Sequence, residues 1–351
     1  MAAWDMQVVR EDLRRTRIVP AEATARDLAE GEALLEVESF ALTANNVTYA
    51  AVGDGLGYWK FFPAPGAWGR VPAWGFARVV TSRAPDAPEG MRLFGYWPMS
   101  NRHVARLQAG PGGIFDASPH RAQLPPTYNS YTIAPPDALD DYRSLLRPLF
   151  GTGWLIDDQL SEEPEITTLV LSSASSKTAL SLAWNARKRG LRVVGLTSPG
   201  TVELLKGVGL YDQVLAYDEA EALEAVGPAA YVDFAARAET TDAVHRRLGD
   251  GLRRSVIVGV TNWERAGQPA APPAVGPQPA LFFAPDHMQK RAKELGPEAF
   301  QQRYDDALRG FVADNGWLQL KHHRGPDALQ ALWAELLEGR VRADEGLILI
   351  P

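Results

Sequence analysis

The chain has 351 residues, 46% hydrophobic and 23% charged, enough for one large domain or two domains with a full core. With 36 basic and 43 acidic residues its net charge is −7, which excludes a general attraction to nucleic acid or to an anionic membrane surface. Cysteine is absent, which excludes disulfides, thiolate metal sites and a cysteine nucleophile and suits a reducing compartment. The opening MAAWDMQVVREDLRR lacks a secretory apolar core, and no apolar run approaches the roughly 18 residues of a membrane span, so the expectation is a cytoplasmic protein.

Residues 1–135 read mainly as β. Leu35-Glu36-Val37-Glu38 alternates, Ala77-Arg78-Val79-Val80 is a short apolar run, and Gly and Pro punctuate the segment. Between Tyr58 and Phe76 fall Tyr58, Trp59, Phe61, Phe62, Trp68, Trp74 and Phe76. Two readings stand for them: a satellite core beneath a long loop, or the wall of a pocket for an apolar or aromatic small molecule. Pro135-Pro136 and the acidic run through Asp141 mark a boundary. A helical pattern then carries Leu145, Leu146, Leu149 and Phe150, with a break expected at Gly151-Thr152-Gly153.

The most informative stretch runs from Glu165 to Leu215. Leu169-Val170-Leu171 has the length and type of a buried strand, and small polar residues follow from Ser172 to Ser176, then Lys177-Thr178. Ala179, Leu182, Ala183 and Ala186 repeat at helical spacing, Arg187, Lys188 and Arg189 crowd the last turn, and Gly190 stops it. Val193-Val194-Gly195-Leu196 is a second strand ending at Thr197-Ser198. This is a βαβ pattern whose first turn suits an anion, because N–H groups and the helix dipole converge there. Further strands are predicted at Val214-Leu215, Tyr231 to Phe234 and Val256 to Val260, so the middle of the chain reads as a parallel sheet covered on both faces. Residues 263–280 read as a loop, His287 to Gly310 as one or two amphipathic helices, and Ala328 to Leu337 as a helix stopped by Gly339. Leu347 to Ile350 is a final strand that returns the chain to its first part.

This order resembles the medium-chain dehydrogenase/reductase superfamily, in its zinc-free quinone-oxidoreductase and enoyl-reductase branch. Phe40-Ala41-Leu42-Thr43-Ala44-Asn45-Asn46-Val47-Thr48-Tyr49 is similar to that branch's ASLNPVDY segment, with Thr48 in place of its Asp. Gly90 to Tyr96 is similar to GDRVFGY, Val208 to Asp212 sits where LGAD usually sits, and Gly339-Arg340-Val341-Arg342 is similar to GRVRG without the last glycine. Phe282 to Arg291 resembles a signature of a bacterial subfamily of unassigned function. The resemblance implies an α/β fold: a Rossmann-type doubly wound parallel sheet over 136–312 and a GroES-like β-barrel domain over 1–135, completed by 313–351. It implies NADP(H) as cofactor, hydride transfer to an activated C=C or C=O of an apolar small molecule, no metal, and a homodimer joined through a sheet edge near Val256 to Val260 and Leu281 to Phe283.

The family's phosphate turn is glycine-rich, whereas here it is Ser-Ser-Ala-Ser-Ser-Lys-Thr. Hydroxyls of Ser172, Ser175, Ser176 and Thr178, with the Lys177 ammonium, are the donors available in place of close backbone approach. Thr197-Ser198 has no acidic residue at the strand tip to take a ribose 2′-OH, which favours a 2′-phosphate, with Lys206 and Tyr217 as assisting residues on the resemblance. The same resemblance puts Asn45, Thr152 and Val260 beside the cofactor. Tyr49 is the first candidate proton donor, followed by Tyr58 and Tyr96. Two alternatives remain. One is a non-catalytic NADP(H)-binding sensor or partner module. The other is a P-loop-like nucleotide hydrolase using Lys177-Thr178 and Asp233, although Leu171 and Ser176 occupy its two glycine positions. The six histidines have no ligand spacing.

Overall fold

A computed structural model describes residues 2–21, 28–110, 112–258 and 273–351. The chain forms two compact units, Met1–Arg147 with Leu318–Pro351, and Pro148–Trp317.

In the first unit, alternating segments form β1 (Trp4–Val9), β2 (Asp12–Pro20) and β3 (Glu32–Leu42). A short helix, α1 (Ala44–Ala51), follows. Sequence patterning missed it because Asn, Thr and Val are indifferent helix formers; its start is fixed by a cap instead. The Thr43 hydroxyl accepts the Asn45 N–H at 3.2 Å, and the Asn46 side chain accepts the Thr43 N–H at 2.7 Å. Next come β4 (Trp68–Gly69), β5 (Pro72–Ser82), β6 (Arg92–Pro98), β7 (Arg102–Gly110), β8 (Gly113–Asp116) and β9 (Ser130–Ile133). Strands β3, β5, β6, β9, β8 and β7 are neighbours in that order, and β7 pairs back onto β3, closing a barrel. Its interior holds Trp97 stacked on Tyr131 and the buried pair Arg121–Asp116 at 3.2 Å.

Helix α2 (Asp140–Leu160) crosses the division between the units. The expected break at Gly151-Thr152-Gly153 does not occur. The glycine there serves packing: a Cβ on Gly153 would lie 2.1 Å from the Ser181 hydroxyl and 2.7 Å from the Thr178 carbonyl. Bare backbone at Gly153 lets the following helix approach closely, so the helix runs on through both glycines.

The second unit alternates strands and helices: β10 (Thr168–Leu171), α3 (Lys177–Lys188), β11 (Arg192–Thr197), α4 (Val202–Val208), β12 (Gln213–Ala216), β13 (Ala229–Asp233), α5 (Ala238–Leu248), β14 (Leu252–Ile257), β15 (Ala280–Leu281), α6 (Ala284–Leu295) and α7 (Pro297–Asp314). The sheet order is β12-β11-β10-β13-β14-β15, all pairings parallel. Central β10 and β13 are buried throughout, as a sheet covered on both faces requires. The order is that of the Rossmann sheet. The predicted strand at Val256 ends at Ile257, and Val260 lies outside the described residues.

The chain then returns to the first unit with β16 (Gln319–Arg324), α8 (Gly325–Leu337) and β17 (Glu345–Ile350). Strand β17 pairs antiparallel with β3, and Trp333 on α8 donates its indole N–H to the Leu13 carbonyl at 2.8 Å. The α/β fold class, a Rossmann-type sheet with a GroES-like barrel, is thus present. Among the described residues, no helix is long and apolar enough to cross a membrane.

Candidate functional site

In the Rossmann unit the strand order reverses between β10 and β13, the position where open α/β sheets meet ligands at the carboxyl ends of their strands. The turn after β10 contains no glycine, and Ser173 adopts the left-handed conformation there, with φ 46°. After β13, Ala236 does the same with φ 50°. Among the described residues these are the two non-glycine residues of positive φ, and both sit at the reversal point. Each left-handed L-residue costs roughly 1–2 kcal/mol. Strain of this kind persists only where surrounding structure over-determines it, commonly at a functional site.

Hydrogen bonds supply that over-determination. The Ser172 hydroxyl donates to Asp233 at 2.6 Å and accepts the N–H groups of Phe234 and Ala235. Asp233 also accepts from the N–H groups of Ala235 and Ala236 and from the Thr241 hydroxyl. Ser172 is therefore buried and committed to the neighbouring strand, which corrects its expected role as a phosphate donor. Asp233 accepts four internal hydrogen bonds, which argues against the magnesium-holding role that the P-loop alternative gives it.

The glycine missing from the turn reappears beneath it. A Cβ on Gly195 of β11 would lie 2.8 Å from the Ala174 Cβ, so its absence lets Ala174 settle onto the sheet. There the Ala174 N–H donates to the Leu196 carbonyl at 3.0 Å, and the Tyr211 hydroxyl donates to the Ala174 carbonyl at 2.6 Å. Ser176 caps α3, accepting the Ala179 N–H at 3.2 Å. Ser175, Ser176 and Lys177 are partly exposed and Thr178 is buried.

Tyr217, from the end of β12, reaches this turn: its hydroxyl accepts the Ser173 N–H at 3.2 Å. Over its ring, 4.6 Å from the centroid, lies the guanidinium of Arg237. The other expected cofactor residues are distributed more widely. Thr197 is buried and shares a hydrogen bond with Thr201 at 2.6 Å, while Ser198 is exposed at the tip of β11. Lys206 on α4 pairs with Glu203 at 2.7 Å. Thr152 donates its hydroxyl to the Pro148 carbonyl at 2.7 Å within α2.

In the barrel unit the three candidate tyrosines come together. Ring centroids of Tyr49 and Tyr58 are 4.6 Å apart and those of Tyr49 and Tyr96 are 5.5 Å apart. Tyr128 joins them, its ring 4.8 Å from Tyr96 and its hydroxyl 3.3 Å from that of Tyr58. Asn45 donates to the Tyr49 oxygen at 2.7 Å, and Trp74 donates its indole N–H to the same oxygen at 3.3 Å. Burial pushes the phenols of Tyr49, Tyr58, Tyr96 and Tyr128 above the ordinary tyrosine range. The aromatic stretch from Tyr58 to Phe76 largely packs inward: Phe61, Phe62, Trp74 and Phe76 form one cluster with Tyr49, Phe94 and Tyr96. Among the described residues, no group of three or more His, Asp or Glu side chains is arranged to hold a metal ion.

Sequence reasoning missed Tyr128 and Arg237. Neither lies in a motif, and each meets its partners only through topology: Arg237 lies over Tyr217 with strand β13 between them in the chain, and Tyr128 is 70 residues from Tyr58. The available signal for Arg237 was its place just beyond a predicted strand end.

A family model described as "Protein of unknown function (DUF2855)" matches residues 40–342. No curated protein matches the chain. Solved structures with the same fold include CurA of Vibrio vulnificus in complex with NADPH, at 14% identity over 99% of each chain and a TM-score of 0.64. A putative NADPH:quinone reductase from Mesorhizobium loti aligns at 14% identity over 99% of this chain and 98% of that one, with a TM-score of 0.63. The yhdH oxidoreductase from Salmonella enterica in complex with NADP aligns at 14% identity over 99% of each chain, with a TM-score of 0.59. The chain belongs to the DUF2855 family and shares the fold of these proteins.

Proposed function

We propose that this member of the DUF2855 family is an NADP(H)-dependent oxidoreductase of the zinc-free medium-chain type, acting on an activated C=C or C=O of an apolar or aromatic small molecule. The observation that carries the reading is the reversal point of the Rossmann sheet, where two strained residues, Ser173 and Ala236, are locked beside Tyr217 and an arginine that has no carboxylate partner among the described residues. This fits a dinucleotide, whose phosphates seek cations and a helix N-terminus at that point of the sheet. Structural relatives in complex with NADPH or NADP support the same cofactor.

In this reading Ser175, Ser176, Lys177 and Thr178 lie along the phosphates, and Thr197, Ser198 and Lys206 serve the ribose end. Thr152, Val260 and Asn45 complete the proposed set. Bound NADPH supplies the hydride. Tyr49 supplies the proton. An indole N–H only donates, so the Tyr49 oxygen is the acceptor from Trp74, and its own proton is directed elsewhere. The phenol carries its proton at neutral pH and burial holds it more tightly still, while the donors Trp74 and Asn45 support the oxygen as the proton leaves. Tyr58 and Tyr96 pack against this phenol and keep water from it. The cysteine-free sequence removes the thiolate ligands that a zinc-dependent relative would use.

Steady-state NADPH oxidation with enones, quinones and aldehydes tests the reading. We expect turnover with at least one class, and a Tyr49→Phe variant slower in kcat by about 10²–10⁴-fold. Binding of NADPH without turnover of any acceptor leaves the second reading, a non-catalytic NADP(H) sensor.

The edge strand β15, with Leu281 74% and Phe283 58% exposed beside it, supports pairing with a second copy of the chain. Light scattering of wild type against Leu281→Asp tests this: a dimer converted to monomer is expected, and a wild-type monomer contradicts it.

A further inference from the structure

The turn after β10 cannot bind phosphate in the way a glycine-rich turn does. Its backbone donors are largely spent: the Ser173 N–H goes to Tyr217, the Ala174 N–H to Leu196 and the Ser176 N–H back to Ser173. The Ser172 hydroxyl is given to Asp233. If a diphosphate sits at this reversal point, a side chain must replace those donors.

Arg237 has the required properties. It begins the turn into α5 directly after the strained Ala236. Its guanidinium lies 4.6 Å over the Tyr217 ring, and that ring is fixed in turn by the bond its hydroxyl accepts from the Ser173 N–H. The plane of the fork is therefore set relative to the β10 turn. Among the described residues its buried Nε has no hydrogen-bond partner and no carboxylate pairs with the group. Asp233, at the end of the preceding strand, accepts from Ser172, Ala235, Ala236 and Thr241 instead. A guanidinium held against one face, with donors left over, is built for a planar or tetrahedral oxyanion.

We propose that Arg237 is the principal diphosphate ligand of this chain, its guanidinium replacing the backbone donors of a glycine-rich turn. The inference rests on the dinucleotide reading and names the residue that makes it work without glycine. It assigns Arg237 to the diphosphate shared by both dinucleotides, not to the 2′-phosphate.

The test is equilibrium binding of NADPH, NADH and inorganic pyrophosphate to the full chain, wild type against Arg237→Gln. The expected result is a loss of about 10- to 100-fold for all three probes, with the NADPH-to-NADH ratio unchanged. Should the Gln variant fail to fold, Arg237→Lys keeps the charge but not the fork, and a parallel loss in all three probes is again expected. Unchanged affinities overturn the proposal, as does a loss confined to NADPH. Pyrophosphate binding that depends on Arg237, in a protein that binds neither dinucleotide, keeps the site and defeats the dinucleotide reading. A wild-type protein that binds none of the three defeats both.

Discussion

The Ser172 hydroxyl donates to the Asp233 carboxylate at 2.6 Å, joining the ends of two adjacent parallel strands across 61 residues of chain. Asp233 is the acceptor shared by Ser172, Ala235, Ala236 and Thr241, so its loss leaves the Ala236 N–H and the Ser172 and Thr241 hydroxyl protons without that acceptor. Asp233→Ala is expected to lower unfolding free energy by about 2–4 kcal/mol. Denaturant titration checks this, and a variant as stable as wild type contradicts the bonded arrangement.

The left-handed residues make a prediction of opposite sign. Glycine adopts positive φ without steric cost but loses more chain entropy on folding, and the first effect is the larger. Ser173→Gly and Ala236→Gly should each raise stability by about 1 kcal/mol. Destabilisation by either would show that its backbone is not left-handed.

The tyrosine group predicts how stability depends on pH. Burial raises the phenols of Tyr49, Tyr58, Tyr96 and Tyr128 above 10.0, the ordinary value that they regain on unfolding. The folded state thus holds more protons than the unfolded state above pH 10. Their contribution is complete below that pH and is lost as pH rises through and beyond it. Ultraviolet titration of tyrosinate should show these four phenols ionising only together with unfolding. Reversible ionisation of all the tyrosines near pH 10 in the folded protein would contradict the buried cluster.

Gly153→Ala places a methyl group 2.1 Å from the Ser181 hydroxyl and 2.8 Å from the Leu182 backbone nitrogen. Because one of these neighbours is backbone, helices α2 and α3 must separate. A loss of about 1–3 kcal/mol is expected, read by thermal or denaturant unfolding, together with weaker ligand binding at the α3 N-terminus. An Ala variant that matches wild type in both would mean that the helices do not cross at this glycine.

The Rossmann unit was legible because its signals are local. Leu169-Val170-Leu171, the helical repeat from Ala179 and the stop at Gly190 lie within one short stretch, and each forms what its pattern dictates. Gly151 and Gly153 were misread because punctuation and close packing use the same residue, and only the neighbouring helix tells them apart. Ser172 was misread for a related reason: a hydroxyl on a turn points to a ligand or to another strand, and strand order is not written locally. Arg237 and Tyr128 were invisible because their partners lie on elements distant in sequence. The tyrosines were individually plausible, but their assembly around Trp74 depends on barrel closure.

The central claim, a dinucleotide at the reversal point of the Rossmann sheet, is tested most directly by titrating purified protein with NADPH, NADH and Mg²⁺–ATP while following thermal unfolding. A ligand that binds only the native state must stabilise it, by about 2.7 kcal/mol at a hundred times its Kd. The account predicts stabilisation by NADPH, less by NADH and none by Mg²⁺–ATP. Stabilisation by Mg²⁺–ATP alone, or by none of the three, would contradict it.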